Sequence, residues 1–171
     1  METSSLPLQP PRPPLTFSTE AERKKCIKIL IAFIIQKTRI SVLKENRMEL
    51  GDLNIHLHAE HWRNIVSFCL DTGKSAESIM NWASLHINAP SGSPIMFESE
   101  EEKKRLKDIV AEYSMCTTII NMHEETGEPI NKDNVLKHAY SWGDLVRFSL
   151  ETGKRIPDIS SWAHKHIFET C

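Results

Sequence analysis

The residues best suited to chemistry in this chain are its histidines. HLHAEH carries His56, His58 and His61, and HKH carries His164 and His166. Imidazole near neutral pH is both a metal ligand and a proton carrier. A zinc site wants several ligands converging on one point. His58 and His86 are matched eighty residues later by His138 and His166, but no matched Cys, Asp or Glu completes a quartet with them. All four lie on apolar helical stripes beside tryptophan. They are therefore expected at the edge of a core, hydrogen-bonded to backbone, and no metal is expected.

The other candidates are weaker. Thr-Gly-Lys occurs at residues 72–74 and 152–154. The full phosphate-loop spacing GxxxxGK[ST] is absent, and a helix C-terminus presents the wrong end of the dipole to phosphate. Lys74 and Lys154 are read as complements to that dipole. Cys26, Cys69, Cys116 and Cys171 are irregularly spaced, with no CxxC pair. They make a poor disulfide framework and point to a reducing, intracellular setting, cytoplasm and/or nucleus. No G-x-S-x-G turn appears, and carboxylates crowd only into the run Glu98–Glu102, which reads as a helix start. No catalytic residue and no cofactor are expected, and the chain is not expected to be an enzyme.

The elements that would position these residues announce themselves by repetition. Sliding the chain on itself by eighty residues pairs residues 17–91 with 97–171 without a gap. Of 75 pairs, 23 are identical, and 14 of those fall between His58 and Ile87. That density reads as an internal duplication, and positions kept in both copies are read as the ones the fold requires. Trp62 pairs with Trp142 and Trp82 with Trp162, so these four and the four matched histidines are assigned to the core.

Each copy reads as three helices. Ser18 or Thr19 can cap the first, and Glu98 and Glu100 to Glu102 suit the N-terminal end of its counterpart. The second helix begins near Asp52 and near Asn131. It carries Ile55, His58, Ala59, Trp62, Ile65, Val66 and Cys69 on one stripe, matched from Val135 to Ser149, and ends at Gly73 and Gly153. The third starts at Ser75, with Pro157 in the first turn of its match. Alternating β-branched runs are lacking. The expected fold is all-α, with two tandem three-helix units at 17–88 and 97–171, a Pro/Gly/Ser linker at 89–96, and a disordered proline-rich tail at 1–16. Whether the units share one core is open at this stage.

No secretory leader is expected from METSSLPLQPPRPPLTFSTE. The apolar run IKILIAFII, residues 27–35, is too short to span a bilayer. Net charge is −2, but it is unevenly spread: ten basic against eight acidic residues in the first copy, ten against fourteen in the second. Arg23, Lys24, Lys25 and Lys28 form a basic patch on the first helix of copy one, a candidate contact for a phosphate backbone. In the tail, Pro7, Pro10 and Arg12 fit the P-x-x-P-x-R pattern that SH3 grooves read. No motif assigns the chain to a known family. The reading favoured is a non-enzymatic adaptor built from a duplicated helical module that binds protein partners, an SH3 domain among them, or a further copy of itself. The alternative is a regulator that binds nucleic acid through the basic helix.

Overall fold

The computed structural model describes residues 15–168, and among them it is all-helical, with no strand. Six helices follow one another: α1 Glu20–Glu45, α2 Gly51–Thr72, α3 Ala76–Asn88, α4 Glu100–Thr126, α5 Lys132–Thr152 and α6 Ile156–Phe168. None is long and apolar enough to cross a membrane. The SH3-type motif Pro7, Pro10 and Arg12 lies outside the described residues.

Helix starts follow from capping side chains. Thr19 Oγ1 accepts from the Glu22 amide (3.0 Å), Ser75 Oγ from Ser78 (3.1 Å) and Ser99 Oγ from Glu102 (3.1 Å). Each satisfies a donor that the first turn leaves without a helical acceptor. The Thr-Gly-Lys ends have one construction in both places. Thr72 Oγ1 donates to the Phe68 carbonyl (2.8 Å), Gly73 turns left-handed at φ 78°, and its amide closes on Cys69 (2.8 Å). Thr152, Gly153 and Ser149 do the same, with φ 79° at the glycine.

The lysine after each glycine, read in the sequence as a complement to the helix dipole, also has a specific partner. Lys74 Nζ reaches 2.6 Å from Glu22 Oε1, and Glu22 also accepts from the Ser18 amide at 2.6 Å. Lys154 pairs likewise with Glu102. The cation serves a carboxylate in the first turn of α1 or α4, which ties the end of the second helix to the start of the first. Lys74 and Ser18 together hold the Glu22 carboxyl below its usual range.

One buried cluster draws on all six helices: Cys26, Leu30 and Ile31 from α1, Phe68 from α2, Ile79 from α3, Leu106 from α4, Phe148 from α5 and Ile159 from α6. The two sets of three helices therefore share a core. At its centre runs α5, which packs on both α1 and α4 and also touches α3 and α6. Nine of its residues are buried, against two in α2. Val135, Ala139, Val146 and Leu150 are covered, and Ser141, Gly143 and Ser149 keep the backbone close to its neighbours. A smaller cluster of Val42, Leu43, Ile120, Ile130 and Val135 closes the far end of α1. The 89–96 segment is strapped down: Asp158 Oδ2 accepts from Ser91 N and Oγ (3.0 and 2.6 Å), and Arg155 reaches the Ala89 carbonyl.

Helix α1 meets α5 closely at Gly143. A Cβ built there would stand 2.4 Å from Ile35 Cγ1 and 2.7 Å from Ile35 Cδ1. Glycine inside a helix costs about 1 kcal/mol against alanine, so its presence marks a contact that repays it. Gly143→Val is expected to destabilise the fold by about 1–3 kcal/mol, the usual cost of overpacking. In urea melts, Ile35→Ala should recover part of that loss. Full additivity of the two substitutions would show that the helices do not meet there.

Candidate interaction surface

The eight residues assigned to the core fall into four aromatic groups. In the first set of helices, Phe33 stacks on His58 (centroids 5.3 Å apart) and tilts against Trp62 (5.9 Å). Eighty residues on, Tyr113 meets His138 (5.7 Å) and Trp142 (5.6 Å). At the other end of each set, Trp82 lies edge-on to Phe17 (5.5 Å) and near His86 (5.7 Å). Trp162 stands in the same relation to Phe97 (5.4 Å) and His166 (5.2 Å). Sequence identity revealed the histidines and tryptophans but not Phe33 and Tyr113, which differ in type while holding the same place.

Several of these residues are less buried than the stripes implied. Trp82, Trp142 and Trp162 are half-buried, His166 is exposed, and Trp62 keeps 43% of its surface in solvent. His166 sits near the end of α6, where the packed face runs out. Trp62 is exposed because nothing among the described residues covers its side of α2. Among the described residues the expected backbone hydrogen bond is found for His86, whose Nδ1 lies 3.0 Å from the Trp82 carbonyl. The buried Nδ1 atoms of His58 and His138 find no hydrogen-bond partner among the described residues. No group of three His, Cys, Asp or Glu side chains there is arranged to hold a metal.

The basic patch is divided. Lys24, Lys25 and Lys28 are exposed, but Arg23 is turned inward. Its guanidinium donates to the Leu150 carbonyl and, at 3.2 Å, to that of Glu151, closing the C-terminal end of α5. Lys24 and Lys28 border a cleft with Arg147, and Glu20 and Glu151 line the same cleft.

The larger feature is apolar, and it takes in Ile55, Ala59, Trp62 and Val66 of the stripe that the sequence assigned to the inner face of this helix; here they are exposed. Along one side of α2 run Ile55, Ala59, Trp62, Val66 and Leu70, all exposed, with Leu70 at 80%. Their spacing of four, three, four and four residues forms a narrow seam of the kind that packs against another helix. On α5 the matching residues are Val135, Ala139, Trp142, Val146 and Leu150. There four of the five are buried and Trp142 is half-buried, and Gly143, on the same side as Ala139 and Val146, packs on Ile35 of α1. The same side-chain pattern is thus covered in one place and bare in the other. Comparisons with protein-family models, characterised proteins and solved structures found no match to this chain.

His138 sits where that covered seam meets Tyr113. Burial holds its imidazole below the ordinary histidine range, and the Glu45 carboxylate partly opposes this. The unfolded chain takes up this proton near pH ~6.5; the folded chain takes it up only at lower pH. The neutral form's contribution is therefore complete above that point and declines as pH falls towards the folded value. The melting temperature should drop between about pH 7.5 and about pH 5.5, and His138→Gln should reduce the drop. An unchanged slope in that variant would remove His138 as the source.

Proposed function

We propose that this chain is a non-enzymatic protein-interaction module, an adaptor made of two three-helix units that arose by internal duplication, and that α2 is its docking helix. The reading rests on the bare seam of Ile55, Ala59, Trp62, Val66 and Leu70. A contiguous apolar stripe on a water-soluble surface marks a binding site more often than a scattered apolar residue does. Here the internal pairing of α5 with α1 supplies an example of what that stripe binds, namely another helix. The described cysteines, Cys26, Cys69 and Cys116, are free thiols, which fits an intracellular setting. Proximity labelling in cells with the full chain tests the reading. Leu70→Asp is expected to deplete the labelled set, while Met96→Asp, a substitution at an exposed methionine away from the seam, leaves it intact. Identical sets from both variants would overturn it.

A second reading, a regulator that binds nucleic acid, is favoured by Arg147, which brings a further cation from α5 to the cleft of Lys24 and Lys28. Glu20 and Glu151 in the same cleft weigh against a phosphate backbone there. If RNA or DNA binds, affinity should fall steeply as salt rises, because released counterions drive such binding. Reversal of Lys24 and Lys25 to glutamate should abolish it. Binding indifferent to salt or to those charges removes this reading.

A further inference from the structure

We propose that the partner of the α2 seam is a second copy of this chain, docked head to tail, so that α2 of one copy lies on α4 and α6 of the next as α5 lies on α1 and α3 within a single chain. The inference rests on the proposal that α2 is a docking helix and names what it docks on. Helices α4, α5 and α6 begin 80, 81 and 80 residues after α1, α2 and α3. The internal interface can therefore be translated residue by residue into an external one.

The receiving side comes first. Within the chain, Val42 of α1 and Ile87 and Asn88 of α3 line a cleft together with Trp142 of α5. Their counterparts are Met122 on α4 and Ile167 and Phe168 on α6, all exposed and all apolar. Met115, the counterpart of Ile35, is exposed as well. A bare seam on α2 and a set of bare apolar side chains on α4 and α6 thus lie on one chain, each the match of part of the internal interface, with Ser114 and Ser160 standing where Ile34 and Met80 line the internal cleft.

Size corresponds in part and charge more fully. Internally, Gly143 lies tight against Ile35 and in ordinary contact with Ile31. Externally, Arg63 takes the glycine's place against Met115, so α2 stands further from α4 than α5 does from α1, while Ala111 in place of Ile31 leaves room beside the arginine. Exposed Asp108, one turn before Ala111, lies on the flank where the Arg63 guanidinium would arrive. At the other end, Arg23 donates to the carbonyls of Leu150 and Glu151 that finish α5. Its counterpart is the exposed Lys103, and the matching end of α2 has no basic residue in its own last turn. A lysine from the next copy suits that negative helix end.

The opposing surface is more polar than its internal model, since Lys107 stands where Ile27 does, and its methylene stem offers less apolar area than isoleucine. The contact is therefore weaker than the internal one, and association is reversible and dependent on concentration. Because the two faces differ, the contact is heterologous. Repeated, it gives a ring if the rotation closes and a filament if it does not.

Sedimentation of the full chain, from low micromolar to near-millimolar concentration, tests this. The wild type is expected to pass beyond dimer as concentration rises. Leu70→Asp removes the donor face and Met115→Asp the receiving face, so each alone should stay monomeric, with melting temperatures close to wild type. Mixed together, they should form a one-to-one pair and nothing larger. Arg63→Asp should weaken assembly, and Asp108→Arg in the same chain should restore it. A two-fold α2-to-α2 dimer gives the opposite pattern, in which Met115→Asp still self-associates and the mixture forms no new pair; that result overturns head-to-tail docking. A wild type that remains monomeric throughout also overturns it. If labelling in cells is then still sensitive to Leu70→Asp, α2 docks on a different protein and the interaction-module reading stands. If that sensitivity is lost too, both readings fail.

Discussion

The fold depends on the close approach of α1 and α5 at Gly143. It joins the second set of helices to the first, together with the packing of α3 on α5 and α6. α5 can sit in the middle because it is apolar on two sides: one faces α4 in its own set, the other faces α1. A helix with two apolar sides must be covered twice. The internal arrangement covers α5 twice and α2 once, and that asymmetry separates two stretches that are otherwise nearly the same sentence. Burial follows position in the stack, while residue type follows the repeat.

Much of the architecture is legible in the sequence, because local chemistry dictates it. Thr19, Ser75 and Ser99 are capping residues by type, and Gly73 and Gly153 end helices by their tolerance of positive φ. Spacing of three and four identifies the inner faces. What spacing does not carry is the identity of the neighbour. Trp62 and Trp142 occupy the same place in the same pattern, so the pattern assigns both to a core; only the order in which the units stack leaves one of them open to solvent.

Two signals were present and pass easily unnoticed. Gly143 stands in mid-helix opposite Arg63 in an otherwise well-matched stretch, and a helix keeps such a glycine when a neighbour comes close. Glu22 and Lys74 are both kept as Glu102 and Lys154, always fifty-two residues apart. A pair of opposite charges retained together at fixed separation suggests that they touch, and they do. The basic patch loses one of its four members for a related reason, while Lys24, Lys25 and Lys28 remain exposed. Counting charges along α1 groups Arg23 with Lys24, Lys25 and Lys28, but a long guanidinium that can reach two helix-end carbonyls is drawn inward, away from its neighbours in sequence.

Gly143 and Ile35 lie more than a hundred residues apart along the chain. On a ribosome, α1, α2 and α3 are made first, and domains form in the order their segments emerge. Until α5 is complete, the outer flank of α1, with Ile31 and Ile35, has no cover, and its contact with α5 closes a long stretch of chain. Such contacts form late, because a long loop must close before they repay its entropy. For that interval a nascent chain exposes the flank of α1 to the α5 of a neighbouring chain on the same polysome, the helix whose glycine fits it. The arrangement that unites the finished protein is, during synthesis, its main route to swapping helices with a sibling.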